Sequence, residues 1–150
     1  MALDVTDALA GEHGVLHFLL AQLEEAAARA TSTAELRPVA ETVALALLAH
    51  QRVEDETMLA PYERATGSLG PLRCLAHEHE QMDHGLRVLV RLADLDHART
   101  HVTELAALVR RHLAREEQLL FGVVREALPE AERHVLGARW AALRGLATEG

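Results

Sequence analysis

Apolar residues recur at three- and four-residue spacing through four long stretches of this 150-residue chain. That spacing places the apolar side chains on one face of an α-helix, and each stretch is bounded by residues that start or stop helices. Such helices must bury their apolar faces against one another. The pattern therefore predicts an all-α fold, an antiparallel up-down-up-down four-helix bundle with a short additional C-terminal helix.

The helix boundaries are predicted from Gly, Pro, Ser, Thr and Asp residues between these stretches. In chain order, we expect a first helix from 4–7 to about 30, a second from 33–38 to about 64, a turn at 65–70, a third helix from 71 to about 95, a turn at 94–100, a fourth helix to about 128 and a terminal helix at about 130–147. The bundle, at about 5–128, and the terminal helix, which contains Trp140, are predicted to form one domain over 1–150.

Composition and charge narrow the class of partner. The formal net charge is −8 and all fifteen basic residues are scattered arginines, which argues against binding to nucleic-acid phosphates. No apolar run approaches the roughly 20 residues that cross a bilayer. The single Cys74 cannot form an internal disulfide, and no secretory leader is recognisable. We therefore expect a cytoplasmic monomer or weak homodimer that binds neither membrane nor nucleic acid and whose partner is a small molecule.

Histidine is strongly enriched, with ten residues against one Trp, one Tyr and two Phe. An internal repeat organises four of these histidines. The stretch that starts at Glu12 aligns with the stretch that starts at Glu78, and the stretch at His50 aligns with the stretch at His112. Each half of the chain thus contributes one Glu-His helix and one His-x-x-x-Glu helix. Because histidine is the commonest metal ligand, the repeat suggests a metal site.

The position of these residues on their helices is better evidence than their spacing, since chance alone predicts roughly one His-x-x-x-Glu pair here. His13 shares its predicted face with Leu9 and Leu16, and His79 shares its face with Met82. The other two histidines of the repeat, and the glutamates one turn after them, also face inward. Burying so many unsatisfied polar groups is costly, and metal coordination is one of the few arrangements that offsets the cost.

The four histidines are also predicted to lie at one level of the bundle. In an antiparallel hairpin, residues at the same height are equidistant from the turn that joins their helices. The midpoints of successive histidines in the repeat fall at 31.5, 64.5 and 95.5, each within or beside a predicted turn. Inward-facing side chains at one level of a four-helix bundle can build a dinuclear site.

The predicted metal ligands are four imidazoles and two carboxylates: His13, His50, Glu54, His79, His112 and Glu116. Nitrogen and oxygen donors without a thiolate favour iron, with manganese or zinc as alternatives. Six ligands do not fill two octahedral ions, so positions remain for an oxo or hydroxo bridge and an exogenous small molecule. His17 and Asp83 are each candidates for an additional ligand or for a partner that orients one.

These motifs resemble those of the hemerythrin-like family, also called HHE cation-binding domains, whose pattern is His, His-x-x-x-Glu, His, His-x-x-x-Glu on four helices. The resemblance covers about Glu12 to Phe121. It implies that the six residues bind two oxo- or hydroxo-bridged iron ions, with both glutamates as bridges. The oxygen-carrying hemerythrins have a further histidine where this chain has Asp83, and the repeat supplies His17 at the equivalent place on the first helix.

Three functions of different classes are compatible with this pattern. The leading hypothesis is a non-haem diiron protein that binds dioxygen, nitric oxide or peroxide, with catalase-like peroxide turnover or nitric oxide turnover as the enzymatic form. A second is an iron- or oxygen-sensing regulatory module whose fold depends on bound metal. A third is a metal-free interaction bundle whose core histidines hydrogen-bond to glutamates.

Overall fold

The computed structural model describes residues 2–146, which contain α-, π- and 3-10-helices and no strand. The α-helices are, in chain order, α1 (Val5–Arg29), α2 (Thr33–Glu54), α3 (Ala60–Thr66), α4 (Arg73–Leu89), α5 (Leu95–Arg115), α6 (Phe121–Ala127) and α7 (Glu130–Leu143). A π-helix at Asp55–Leu59 joins α2 to α3, and another at Glu116–Leu120 joins α5 to α6. The prediction of an all-α protein is confirmed.

Short polar side chains set the starts of three helices. Asp4, Ser32 and Asp94 precede α1, α2 and α5, and each side chain accepts a hydrogen bond from a backbone N–H two or three residues later. These bonds satisfy amide groups that have no partner within the helix. Gly67 ends α3 with a φ of 84°, in the left-handed region that glycine adopts without steric cost.

The predicted end of the third helix, at about 95, and the predicted turn after it are wrong, since α4 ends at Leu89. The turn predicted at 94–100 lies instead at 90–94, because the Asp94 side chain accepts from the backbone N–H of His97 at 2.8 Å and starts α5 at Leu95. The terminal helix ends at Leu143 instead of about 147, and Gly145 follows it with a φ of 68°. Residue 147 itself lies outside the described residues.

The two π-helices, which were not predicted, start within or directly after the His-x-x-x-Glu motifs. A π-helix inserts one extra residue into a turn, so residues five apart share a face. Val53 and Met58 are both buried, as are Glu116 and Phe121, although an α-helix would turn the members of each pair well away from each other. The π-helices thus keep the core face continuous after each motif.

Four helices pack in a ring, consistent with a bundle: α1 contacts α2 and α5, and α4 contacts the same two helices. The terminal helix α7 packs mainly on α1 and on the π-helix Asp55–Leu59. None of the helices in residues 2–146 has the length and apolar composition that crossing a membrane requires.

A polar layer divides the core into two apolar clusters. Along α1, Val5 and Leu9 belong to one cluster, Leu16 and Leu20 belong to the other, and His13 lies between them. Helices α2 and α4 are divided in the same way, whereas the buried apolar residues of α5 all belong to the cluster of Leu20, and the π-helix and α6 that follow α5 supply the other cluster. The cluster that contains Leu9 is here called the lower cluster, and the cluster that contains Leu20 is called the upper cluster. The polar layer is formed by His13, His50, Glu54, His79, His112 and Glu116.

The terminal helix approaches the start of the chain very closely at Gly137. A Cβ added there would lie 1.9 Å from the backbone oxygen of Leu3 and 3.3 Å from the backbone nitrogen of Val5. Beside this contact, the Arg133 guanidinium donates to Asp4 Oδ2 at 2.7 Å. Only glycine lets the two backbones meet at this distance, so Gly137 determines how α7 docks.

Replacing Gly137 with alanine is therefore expected to lower the free energy of unfolding by about 1–3 kcal/mol, since backbone would have to move to admit the methyl group. Urea unfolding followed by circular dichroism measures the change. The matched control is Gly122→Ala, at an exposed helical glycine with no atom within 4 Å of an added Cβ. It should be neutral or stabilising by up to about 1 kcal/mol. Equal stability of the two variants would contradict the close docking of α7.

Candidate metal centre

The structure brings all six predicted ligands into the polar layer, where each is at most 6% exposed. Their potential ligand atoms form two groups, in each of which the atoms lie within 4.8 Å of one another. The first group contains Glu54, His79, His112 and Glu116, and the second contains His13, His50 and Glu116. Glu116 belongs to both groups.

Each of the two carboxylates faces imidazoles of both groups. Glu116 Oε2 lies 2.9 Å from His13 Nε2 and 3.8 Å from His50 Nε2. Its Oε1 lies 3.7 Å from His79 Nε2 and also contacts His112 Nε2. Glu54 spans the groups in the same sense, with Oε2 3.5 Å from His50 Nε2 and Oε1 3.3 Å from His79 Nε2. This is the arrangement that a carboxylate bridge between two ions requires.

All four imidazoles donate from Nδ1 to a carboxylate outside the polar layer. The pairs are His13–Glu117 (2.8 Å), His50–Glu12 (2.6 Å), His79–Asp55 (2.9 Å) and His112–Glu78 (2.8 Å). An ionised carboxylate only accepts, so each Nδ1 carries the proton and, in the neutral ring, Nε2 presents its lone pair to the interior. Metal-binding histidines are commonly oriented in this way.

Sequence reasoning recognised the Glu-His pairs and the acidic doublets of the internal repeat, but it did not assign these four carboxylates to the histidines. Glu12 and Glu78 immediately precede the inward histidines of α1 and α4, and Asp55 and Glu117 immediately follow the two inward glutamates. Each stands beside one ligand in the sequence but accepts from the histidine of a neighbouring helix. The aligned Glu-His pairs and acidic doublets therefore encode cross-helix hydrogen bonds.

The polar layer fits a metal on two observations. His79 Nε2 and His112 Nε2 converge to 3.0 Å, where a protonated ring can donate to the other ring or a metal ion can take the lone pairs of both. In addition, the Nε2 atoms of His13 and His50 and the carboxylate oxygens of Glu54 and Glu116 are buried with no hydrogen-bond partner among the described residues. Buried groups of this kind are normally satisfied, and metal coordination would satisfy them.

The electrostatics of the protein alone also favour cationic charge in this layer. Burial opposes protonation of His50, but Glu116 and Glu12 outweigh it and raise the pKa of His50 to about 9. Burial likewise opposes the charged form of His79, while Asp55 and Glu116 raise its pKa to about 12. Burial would raise the pKa of Glu116, but the imidazoles that surround its two oxygens hold it well below its usual value.

The structure does not bring His17 or Asp83 into the polar layer. His17 is exposed on α1, one turn beyond His13. The Asp83 carboxylate pairs with Arg87 at 2.7 Å, on the outer part of α4. Neither side chain belongs to the groups of closely spaced ligand atoms. A ligand role for either residue would require its side chain to move.

Comparison with known families agrees with this geometry. The model of the Hemerythrin HHE cation binding domain matches residues 4–124, which include all six residues of the polar layer and the four carboxylates behind the imidazoles. Comparisons with curated proteins and with solved structures gave no match. Because the family model covers most of the chain, this protein belongs to the hemerythrin HHE cation-binding domain family.

Proposed function

We propose that this protein is a non-haem diiron protein that binds a small molecule, dioxygen, nitric oxide or peroxide, at its polar layer. The observation that carries the proposal is the inward convergence of four imidazole Nε2 atoms and two buried carboxylates, with every Nδ1 already held by a carboxylate. Nitrogen and oxygen donors without thiolate favour iron over zinc, and manganese is the closer alternative.

In this proposal, His13 and His50 would hold one ion, His79 and His112 would hold the other, and Glu54 and Glu116 would be shared between them. The grouping of ligand atoms and the position of Glu116 in both groups support this division. Bound iron would supply the redox chemistry and an open coordination position. The chain orients the imidazoles through their Nδ1 hydrogen bonds, and its two apolar clusters exclude water from either side of the layer.

Peroxide is the substrate that the surroundings of His79 favour. A groove of about 310 Å³ reaches His79 between α2 and α4, and its lining includes Gln51, Asp55 and Asp83. The Gln51 Nε2 atom is buried and has no hydrogen-bond partner among the described residues. A polar route with an available donor suits hydrogen peroxide better than an apolar gas. We therefore place peroxide turnover ahead of reversible oxygen carriage.

We further propose that residues 1–150 form one domain and that the four ring helices run up-down-up-down. The order of the core residues supports this topology. Along α1 and α4 the chain passes from the lower cluster through the polar layer to the upper cluster. It passes in the reverse order along α2, and again from α5 into the π-helix and α6 that follow it.

Optical spectroscopy with added ligands tests the proposed function. Iron-loaded protein is expected to absorb in the near ultraviolet when oxidised, to bleach on anaerobic reduction, and to release oxygen from hydrogen peroxide. Asp83→Ala is the variant that tests the route, because it alters the lining of the groove without removing a residue of the polar layer. A reduced protein that binds oxygen reversibly and leaves peroxide unchanged would replace the peroxide proposal with oxygen carriage.

A further inference from the structure

The terminal helix reaches the metal centre through Glu12, the carboxylate behind His50. Trp140 Nε1 donates to Glu12 Oε1 at 2.8 Å, and Arg144 donates from Nε to Oε1 at 2.6 Å and from Nη2 to Oε2 at 2.8 Å. The same Oε2 accepts from His50 Nδ1 at 2.6 Å. A continuous set of hydrogen bonds therefore links Trp140 and Arg144, here called the α7 clamp, to an imidazole of the polar layer.

Both clamp residues lie beyond residues 4–124, so the matched family model does not include them. The clamp also distinguishes Glu12 from the other carboxylates behind the imidazoles. Asp55 and Glu117 are 54% and 52% exposed, and within residues 2–146 each accepts only from its histidine. Glu78 is anchored by Arg115, which belongs to the bundle itself. Of these four carboxylates, only Glu12 accepts from Trp140 of α7 and from Arg144, which directly follows that helix.

Without the clamp, Glu12 would have room to leave His50. A groove of about 240 Å³ opens beside it, with Val15, Leu16 and Arg144 in its lining. A carboxylate that turned into this groove would regain water and rotamer freedom. The forked guanidinium and the indole N–H oppose that turn, because they hold both carboxylate oxygens in place.

We propose that Trp140 and Arg144 are positioning residues of the metal centre, which fix Glu12 and thereby hold the His50 Nε2 atom toward its metal position. Docking of α7 then sets the affinity of the ion held by His13 and His50. The inference rests on the proposed function, because it assumes that His50 binds a metal. Loss of such a partner behind a metal-bound histidine typically weakens binding by about 10–100-fold.

The test compares Arg144→Met with Arg110→Met, a matched control. Arg110 also forms a forked pair with a glutamate of α1, donating to Glu24 Oε1 at 2.8 Å and to Oε2 at 2.5 Å, but Glu24 contacts no histidine. Anaerobic ferrous iron is titrated into metal-free protein, and bound iron is measured after dialysis. Exchange of the His50 Nδ1 proton with water is measured by NMR in the metal-free state.

Arg144→Met is expected to weaken the binding of one iron by about tenfold and to speed exchange of the His50 proton. Arg144→Lys, which keeps the charge but loses the fork, should fall between Arg144→Met and wild type. Arg110→Met should behave as wild type. Trp140 is the only tryptophan, so its emission reports the docking of α7 in each of these variants. Gly137→Ala, which displaces α7 without altering the clamp residues, should reproduce the loss.

Three outcomes would overturn the inference, and they are distinguishable. If wild type binds two irons and Arg144→Met binds them with the same affinity and the same His50 exchange rate, the clamp does not position His50, and the proposed function stands. If wild type binds no iron, both fail. If Arg110→Met lost as much iron affinity as Arg144→Met, the loss would reflect lower overall stability, and the positioning role of the clamp would be refuted.

Discussion

Glu116→Ala is expected to abolish the binding of both metal ions, with an affinity loss of more than about 100-fold at each. Glu116 belongs to both groups of ligand atoms, and its two oxygens face imidazoles of all four ring helices. In the proposed centre, its removal would take a ligand from each ion and would leave four imidazoles with less negative charge to balance two cations. Iron per chain, measured after anaerobic loading and desalting, should fall from two to near zero.

The neighbouring Glu117→Ala is the matched control for this prediction. Glu117 is half exposed and accepts only from His13 Nδ1 within the described residues. Its loss should therefore lower the affinity for one ion by about tenfold and leave the other ion bound. Retention of two tightly bound irons by Glu116→Ala would contradict the bridging role. If Glu117→Ala also lost all its iron, Glu116 would have no special role as a ligand compared with a residue that orients one.

The second large effect is a loss of stability of the metal-free protein as pH rises from 6.5 to about 9. The pKa of His50 is raised to about 9, so between these pH values the folded state keeps a proton that the unfolded state releases. The stabilisation is fully present below pH 6.5 and is lost as pH rises through 9. For His50 it amounts to on the order of 3 kcal/mol. His79, with a pKa of about 12, acts in the same direction and extends the loss above pH 9.

Urea unfolding of metal-free protein across this pH range measures the effect. In wild type, the unfolding free energy should fall with pH at a rate that reports the protons released on unfolding. In His50→Gln this fall should be shallower by the equivalent of about one proton. The control is His77→Gln, at an exposed histidine outside the polar layer, and it should keep the wild-type slope. Iron-loaded protein should not lose stability over this pH range, because the metal displaces the protons from these histidines. Stability that does not change between pH 6.5 and 9 would contradict the carboxylate contacts of His50.

The helical fold and the six inward positions could be predicted because helix periodicity determines which side chains share a face. The structure gathers His13, His50, His79 and His112 in one layer, as the turn midpoints predicted, although the turn between α4 and α5 lies at 90–94. Their role as ligands stays a prediction.

His17 shows where repeat symmetry misleads. Alignment of the two halves made His17 the equivalent of Asp83, but Leu16 and Leu20 occupy the core face of α1, and this leaves His17 exposed. Asp83 has a closer partner in Arg87, four residues later on its own helix. Symmetry in sequence therefore does not override the packing of each helix face.

Other features could not be read from local pattern. The π-helices depend on packing at both ends of each motif. Contacts between Glu12 and the α7 clamp join residues more than a hundred positions apart, and a single arginine or tryptophan on a terminal helix carries no periodic signal. The Glu-His pairs were visible, but their role emerged only when each carboxylate was seen to serve the histidine of another helix.

The most direct measurement is anomalous diffraction at the iron edge from crystals of iron-loaded protein. The account predicts two iron peaks inside the bundle, one beside His13 and His50 and the other beside His79 and His112, with Glu116 between them. It predicts the same two positions in Arg110→Met and neither in Glu116→Ala. A polar layer without anomalous signal, or iron bound only at surface residues, would contradict the proposed diiron centre.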